Sequence, residues 1–83
     1  YLLVEIYLLR KDLKDINFPM VVEKKSKQLV AKTTEFLSAE DSESLSNPVN
    51  REPMKNKLKL AYQQILGKEH PIKELIFSKW IMQ

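Results

Sequence analysis

An alternating apolar run lies at each end of this chain. The first run covers residues 2–9 and the second covers residues 73–83. Alternation with a period of two is typical of β-strands, and a strand needs a partner for its backbone hydrogen-bonding groups. Because no other part of the sequence offers a comparable run, we expect the two ends to share one sheet and the residues between them to form a helical crossover.

The first predicted helix covers residues 20–37. Its apolar side chains recur at spacings of three and four residues, which is the period of an amphipathic helix lying on a sheet. The expected buried stripe consists of Val22, Leu29, Val30, Phe36 and Leu37. Residues 38–47 then form an acidic, serine-rich loop, in which we expect at most one helical turn that docks Leu45.

The second predicted helix begins after Asn50 and ends at Gly67. Pro53 argues against an earlier start at Asn47, because a proline inside a helix costs about 3 kcal/mol. With Asn50 as the cap, Pro53 falls at the third position, where a backbone amide would have no intrahelical partner. The expected buried stripe consists of Met54, Leu58, Ala61, Ile65 and Leu66, with Tyr62 at its flank. Gly67 is expected to close the helix in a left-handed conformation.

These elements define an α+β fold in the order strand, helix, helix, strand. Both terminal strands lie in one sheet, two amphipathic helices pack on it, and residues 1–83 form a single domain, because a chain this short has room for one core. If each helix packs antiparallel to the element before it, the two strands run antiparallel. We expect the chain to be part of a longer protein, in which further N-terminal strands would complete the sheet.

The two faces of the first strand differ in chemistry. One face is wholly aliphatic and should meet the helices: Leu2, Val4, Ile6 and Leu8. The other is mixed: Leu3, Glu5, Tyr7 and Leu9. Tyr7 and Trp80 interrupt otherwise aliphatic strands, and large aromatics on a small sheet either cap the core or anchor an interface. Both interpretations stay open; the second predicts a protein contact surface made of Leu3, Tyr7, Leu9 and Trp80.

The charge of the chain is mildly basic, at +3. Lysines lie along both predicted helices: Lys24, Lys25, Lys27, Lys32, Lys55, Lys57 and Lys59. A small nucleic-acid-binding or ribosome-associated α+β domain is therefore an alternative function, since phosphate contacts need little more than such charge. Recognition of RNA usually adds arginines and aromatics, which the lysine runs lack. This pattern favours solvated helix faces, and we expect no nucleic acid among the partners.

No group of residues predicts catalysis. His70 is the single histidine, and with no second ligand or nucleophile at a recognisable spacing we interpret it as a solvated turn residue. The acidic residues Glu40, Asp41 and Glu43 lack the order of a calcium loop and are interpreted as solvated charge. We therefore expect no enzyme activity and no metal or other cofactor. A piece of a larger cytosolic enzyme, with its site elsewhere, is a third alternative.

Four motifs lie in the second half of the chain. They are Phe36-Leu-Ser-Ala-Glu-Asp41, Leu45-Ser-Asn-Pro48, the helix from Leu58 to Leu66, and Leu75-Ile-Phe-Ser-Lys-Trp-Ile-Met-Gln83. In this order they resemble the C-terminal part of the FliL family of flagellar basal-body-associated proteins. The family tends to end with Val/Leu-x-Phe-x-x-Phe-Val-Ile-Gln, where Trp80 takes the place of the second aromatic. Pro53 and Asn50 depart from the family pattern, and the first half is similar only in its hydrophobic pattern and in its order of strand and helix.

The resemblance implies a fold and a function. It implies a stomatin-like α+β domain in the periplasm, held at the inner membrane by a single N-terminal transmembrane helix that would precede residue 1. It also implies self-assembly into a ring around the motor, contacts with the stator proteins MotA and MotB, and a supporting role in stator activity and motility.

Overall fold

The two end runs pair with each other, as the sequence predicts. In the computed structural model, which describes residues 2–82 and the side chains of residues 2–81, β1 (Leu2–Arg10) and β2 (Ile72–Met82) form one antiparallel sheet. The register runs from Leu2 opposite Met82 to Arg10 opposite Ile72, and it shifts after Glu5 and again after Leu9. The predicted α+β class and the antiparallel end strands are confirmed.

The crossover contains more helices than the sequence predicts. They are α1 (Phe18–Lys24), α2 (Ser26–Ser38), α3 (Ser42–Ser46), a 3₁₀ turn at Pro48–Asn50, and α4 (Arg51–Leu66). The single helix predicted over 20–37 is divided at Lys25 into α1 and α2. Lys25 N–H still donates to Val21 at 2.9 Å, and Leu29 N–H to Lys25 at 3.0 Å. The helical path therefore continues through a local bend at Lys25. The apolar periodicity of the sequence gives no sign of this bend.

The start of α4 agrees with the prediction, but its capping chemistry differs. The helix begins at Arg51, so Pro53 lies at the third position. The Asn50 side chain does not cap it and instead donates to the Ser44 carbonyl oxygen at 3.0 Å. Asn47 caps the separate 3₁₀ turn by accepting from Val49 N–H at 3.1 Å. At the far end, Gly67 adopts the predicted positive φ, at 92°, a conformation that favours glycine.

The core lies between α4 and the inner face of the sheet. Leu58 and Leu75 are fully buried at its centre. The other members of this cluster are Phe18, Leu29, Tyr62, Leu66 and Ile72. Tyr62 is thus a core residue and not a flanking one, and its hydroxyl forms a hydrogen bond with the Thr33 hydroxyl on α2.

Two further helical predictions have opposite outcomes. Leu45 is buried in α3, whose Asp41 cap accepts from Ser44 N–H at 2.7 Å, so the expected docking turn is confirmed. Val30 is 64% exposed, because it follows Leu29 by one residue and is rotated about 100° away from the narrow contact with α4. Every helix within residues 2–82 is too short or too polar to span a membrane.

Candidate interaction surfaces

The outer face of the sheet is an exposed apolar surface. Tyr7 is 56% exposed, and Leu3, Leu9 and Ile81 are exposed by 44%, 42% and 41%. Leu3 pairs with Ile81 across the ladder, and directly paired residues share a face of a sheet. We call these four residues the outer apolar face. The structure thus brings together three of the four residues predicted from the sequence as a contact surface.

Trp80, the fourth predicted contact residue, lies on the opposite face. Glu5 pairs with Lys79 and Ile6 with Phe77, so Ser78 is an extra residue in β2, a β-bulge. Strict alternation would have placed Trp80 on the same side as Ile76, which pairs with the outer residue Tyr7. The bulge instead puts Trp80 opposite Val4, on the helix side of the sheet.

A polar cluster crosses the outer apolar face. The Ser78 hydroxyl donates to Glu5 Oε1 at 3.0 Å, and Lys79 Nζ lies 3.9 Å from Glu5 Oε2. Hydrogen bonds from the Tyr7 hydroxyl, chiefly, and from Ser78 hold the pKa of Glu5 below its ordinary value. The same bond to Glu5 raises the pKa of Tyr7. Glu5 is therefore the charged centre of this polar cluster.

A groove runs along the free edge of β1. Within residues 2–82, β2 is the sole strand paired with β1, and the other edge faces a cleft of about 690 Å³ between β1 and helices α1 and α2. The walls are mostly apolar and include Leu2, Val4, Ile6, Val22, Leu29 and Val30. Tyr62 also lines this cleft, and its burial raises its pKa. An unpaired strand edge beside an apolar cleft is a template for pairing with a further strand.

A smaller pocket lies on the other side of the core, where α4 begins. Its volume is about 430 Å³. The lining residues are Pro48, Val49, Arg51, Glu52, Lys55, Ile76, Phe77 and Trp80. We call it the Arg51–Trp80 pocket, because the guanidinium carbon of Arg51 lies 5.1 Å from the centre of the Trp80 ring. It combines cationic and aromatic groups that lie far apart in the sequence, so their spacing alone does not predict the pocket.

His70 is paired, and its interpretation as a solvated turn residue is wrong. Its Nδ1 lies 3.1 Å and 3.0 Å from the two carboxylate oxygens of Asp15, and the two side chains are only 18% and 10% exposed. The pairing of Arg10 with Ile72 brings together the loop that contains Asp15 and the loop that contains His70. These two residues are 55 positions apart, so a motif based on sequence spacing does not predict their contact. Within the described residues, no group of three or more His, Cys, Asp or Glu side chains could hold a metal ion.

Several helix lysines have partners within the fold. Lys32 pairs with Glu35 at 3.4 Å, and Lys59 Nζ donates to the Lys73 carbonyl oxygen at 2.8 Å. These contacts are typical of solvated, locally paired helix faces rather than of a stripe of cations reserved for phosphates.

Taken as a class, this is a small α+β domain whose described residues present surfaces that suit the binding of proteins: an apolar sheet face, a free strand edge and an aromatic pocket. The chain matches the family model described as flagellar basal body-associated protein FliL over residues 1–83. It therefore belongs to the FliL family, and the resemblance carried by its motifs is confirmed. Membership makes it a flagellar basal body-associated protein. No curated protein sequence is a significant match to the chain.

Proposed function

We propose that this chain is a non-enzymatic accessory protein of the flagellar motor that self-assembles around the stator units and supports them in motility. The outer apolar face carries the proposal. Four large apolar side chains, exposed by 41% to 56%, lie on one face of a two-stranded sheet, with Leu3 and Ile81 on one side of the Glu5–Lys79 pair and Tyr7 and Leu9 on the other. Exposed apolar surface framed by polar residues marks interaction sites in proteins. Copies of this chain are the first partners, and the stator proteins MotA and MotB are the second.

The proposed location is the periplasm, at the inner membrane beside the basal body. Family membership supports the association with the basal body, and a single-pass N-terminal anchor would explain how small contacts become effective. Tethering converts a weak encounter between free modules into an encounter at high local concentration. Each contact through the outer apolar face can then be individually weak while a ring around the stator remains assembled.

Binding, and not chemistry, is the activity that this geometry supports best. The one histidine is occupied by a structural pairing with Asp15 at 3.0 Å. The outer face, in contrast, combines exposed aliphatic side chains with the exposed phenol of Tyr7, and such a combination suits a protein contact.

The proposal is tested by replacing Leu3, Tyr7 and Leu9 together with serine in the protein expressed in a flagellated cell. We expect the triple variant to lose its assembly at the motor, seen with a fluorescent fusion, and to swim more slowly. Leu60→Ser is the matched control, because Leu60 is 69% exposed but lies on α4, away from the sheet face. Normal assembly and swimming of a triple variant that melts like the wild type would refute the role of this face.

A further inference from the structure

The Arg51–Trp80 pocket contains a cation that has no acceptor. Nε of Arg51 is buried and has no hydrogen-bond partner among the described residues. A buried donor without an acceptor is unfavourable, so another interaction must stabilise the guanidinium in this position. Its stacking over Trp80, at 5.1 Å from the ring centre, is a cation–π contact that supplies this stabilisation. The guanidinium of Arg51 thus stacks on the Trp80 ring, and none of the side-chain hydrogen bonds among the described residues uses it.

The aromatic wall of the pocket is held in place by the fold. Trp80 Nε1 donates to the Leu45 carbonyl oxygen at 3.1 Å, and the Trp80 ring meets the Phe77 ring at an angle, with centres 5.1 Å apart. At the rim, Val49 is 77% exposed and follows Pro48. A rigid aromatic wall beside an arginine is the composition of residues that dominate binding at protein interfaces. The wall therefore suits a large apolar side chain from a partner.

The charge of the pocket favours an anionic partner. Arg51 and Lys55 are opposed within the lining only by Glu52, whose carboxylate lies 3.4 Å from Lys55 Nζ. The Glu52 side chain is 72% exposed, and exposed ion pairs are weak, so Lys55 can exchange this partner for another carboxylate. The pocket also adjoins the first turn of α4, where the helix dipole adds positive potential.

We propose that the Arg51–Trp80 pocket binds a protein segment in which an acidic side chain stands next to a large apolar one. The carboxylate accepts from the Arg51 guanidinium and from Lys55, and the apolar side chain packs on Trp80 and Phe77. A carboxylate matches the planar fork of arginine. Phosphate alone would satisfy the cations but leave the aromatic wall uncovered. The inference rests on the proposed function, because it gives a second partner surface to a protein that acts by binding.

The test uses the chain's single tryptophan as its reporter, since Trp80 lies in the pocket. The 83-residue chain is titrated with a panel of hexapeptides, each of which has one Asp or Glu within two positions of a large apolar residue. That residue is Phe, Leu or cyclohexylalanine. Cyclohexylalanine takes the place of Trp, because the emission of a peptide tryptophan would overlap with that of Trp80. Counterparts with Asn or Gln serve as matched ligands. We expect the best acidic peptides to bind at least about tenfold more tightly than their amide counterparts, the difference expected for loss of one charge-assisted contact.

Arg51→Gln should remove this tenfold preference, whereas Lys57→Gln, which deletes an equal charge from an exposed position of the same helix, should keep it. Equal binding of acidic and amide peptides, unchanged binding in Arg51→Gln, or an equal response to inorganic phosphate alone would each overturn the proposal. Peptide binding does not depend on assembly at the motor. Its failure would leave the proposed function standing, while intact assembly of the serine triple variant would count against the outer apolar face alone.

Discussion

The two faces of the sheet contain similar side chains but use them differently. On the inner face, Leu75 is fully buried and Ile72 is 4% exposed, whereas on the outer face Leu9 and Tyr7 are 42% and 56% exposed. The burial of an aliphatic side chain contributes about 1.5–3 kcal/mol to folding, and the partly exposed outer residues supply only part of that contribution. The comparison teaches that one face of a two-stranded sheet can hold the fold together while the other face remains exposed.

The largest expected effect tests this comparison at its centre. Leu75→Ala should destabilise the domain by about 2–5 kcal/mol, because it leaves a cavity in the core. Leu9→Ala, on the other face of the neighbouring strand, should change stability by less than about 1 kcal/mol, because the side chain is half solvated. Urea denaturation followed by circular dichroism measures both. Similar losses for the two variants would show that the outer face is also part of the folding core.

A second prediction contrasts a polar pair between two loops with a polar pair on the sheet. His70→Ala should destabilise the domain by about 1–3 kcal/mol, since it leaves the Asp15 carboxylate, which is 10% exposed, without its partner. Lys79→Gln, which removes the 3.9 Å pair with Glu5 on the outer face, should have no measurable effect. A double-mutant cycle of His70→Ala with Asp15→Asn supplies the control. A coupling energy below about 0.5 kcal/mol would contradict the pairing.

A third prediction compares the two phenols in alkaline solution. Burial raises the pKa of Tyr62 above its ordinary value of 10.0, so the folded state favours the neutral phenol. The stability that this group contributes is fully present below pH 10.0 and is lost as the pH rises through the folded pKa. Tyr62→Phe should therefore flatten the alkaline fall of the unfolding free energy. The fall should persist in Tyr7→Phe, and equal curves for the wild type and Tyr62→Phe would contradict the prediction.

The smallest expected effect concerns Glu5 on the outer face. Hydrogen bonds from Tyr7 and Ser78 lower the pKa of Glu5 below its ordinary value of 4.5. Its contribution to stability is therefore present above pH 4.5 and is lost as the pH falls through the folded pKa. Glu5→Gln should slightly reduce the acid dependence of unfolding, measured between pH 7 and pH 3. The same variant should lower the pKa of Tyr7 toward its ordinary value, which an NMR titration of the phenol signals would detect.

Most of the fold was predictable because its signals are local. The alternation at the two ends, the position of Pro53 in α4 and the glycine at its end each act within a few residues. What escaped prediction depends on register. The His70 pairing with Asp15 needs the ladder to be aligned, and the side on which Trp80 lies depends on one inserted residue. The face of the sheet was therefore predicted correctly for Leu3, Tyr7 and Leu9 of β1, and incorrectly for Trp80, which follows the bulge in β2.

Ser78 sets the parity of β2. From Glu74 to Phe77 the odd-numbered residues lie on the helix side, whereas from Lys79 to Ile81 the even-numbered residue does, so Phe77 and Trp80 fall on one side although they are three positions apart. Deleting Ser78 would restore one alternation over this stretch and turn the indole ring to the side of Tyr7, away from Arg51. One serine thus divides the aromatic residues of this small sheet between two surfaces that face in opposite directions.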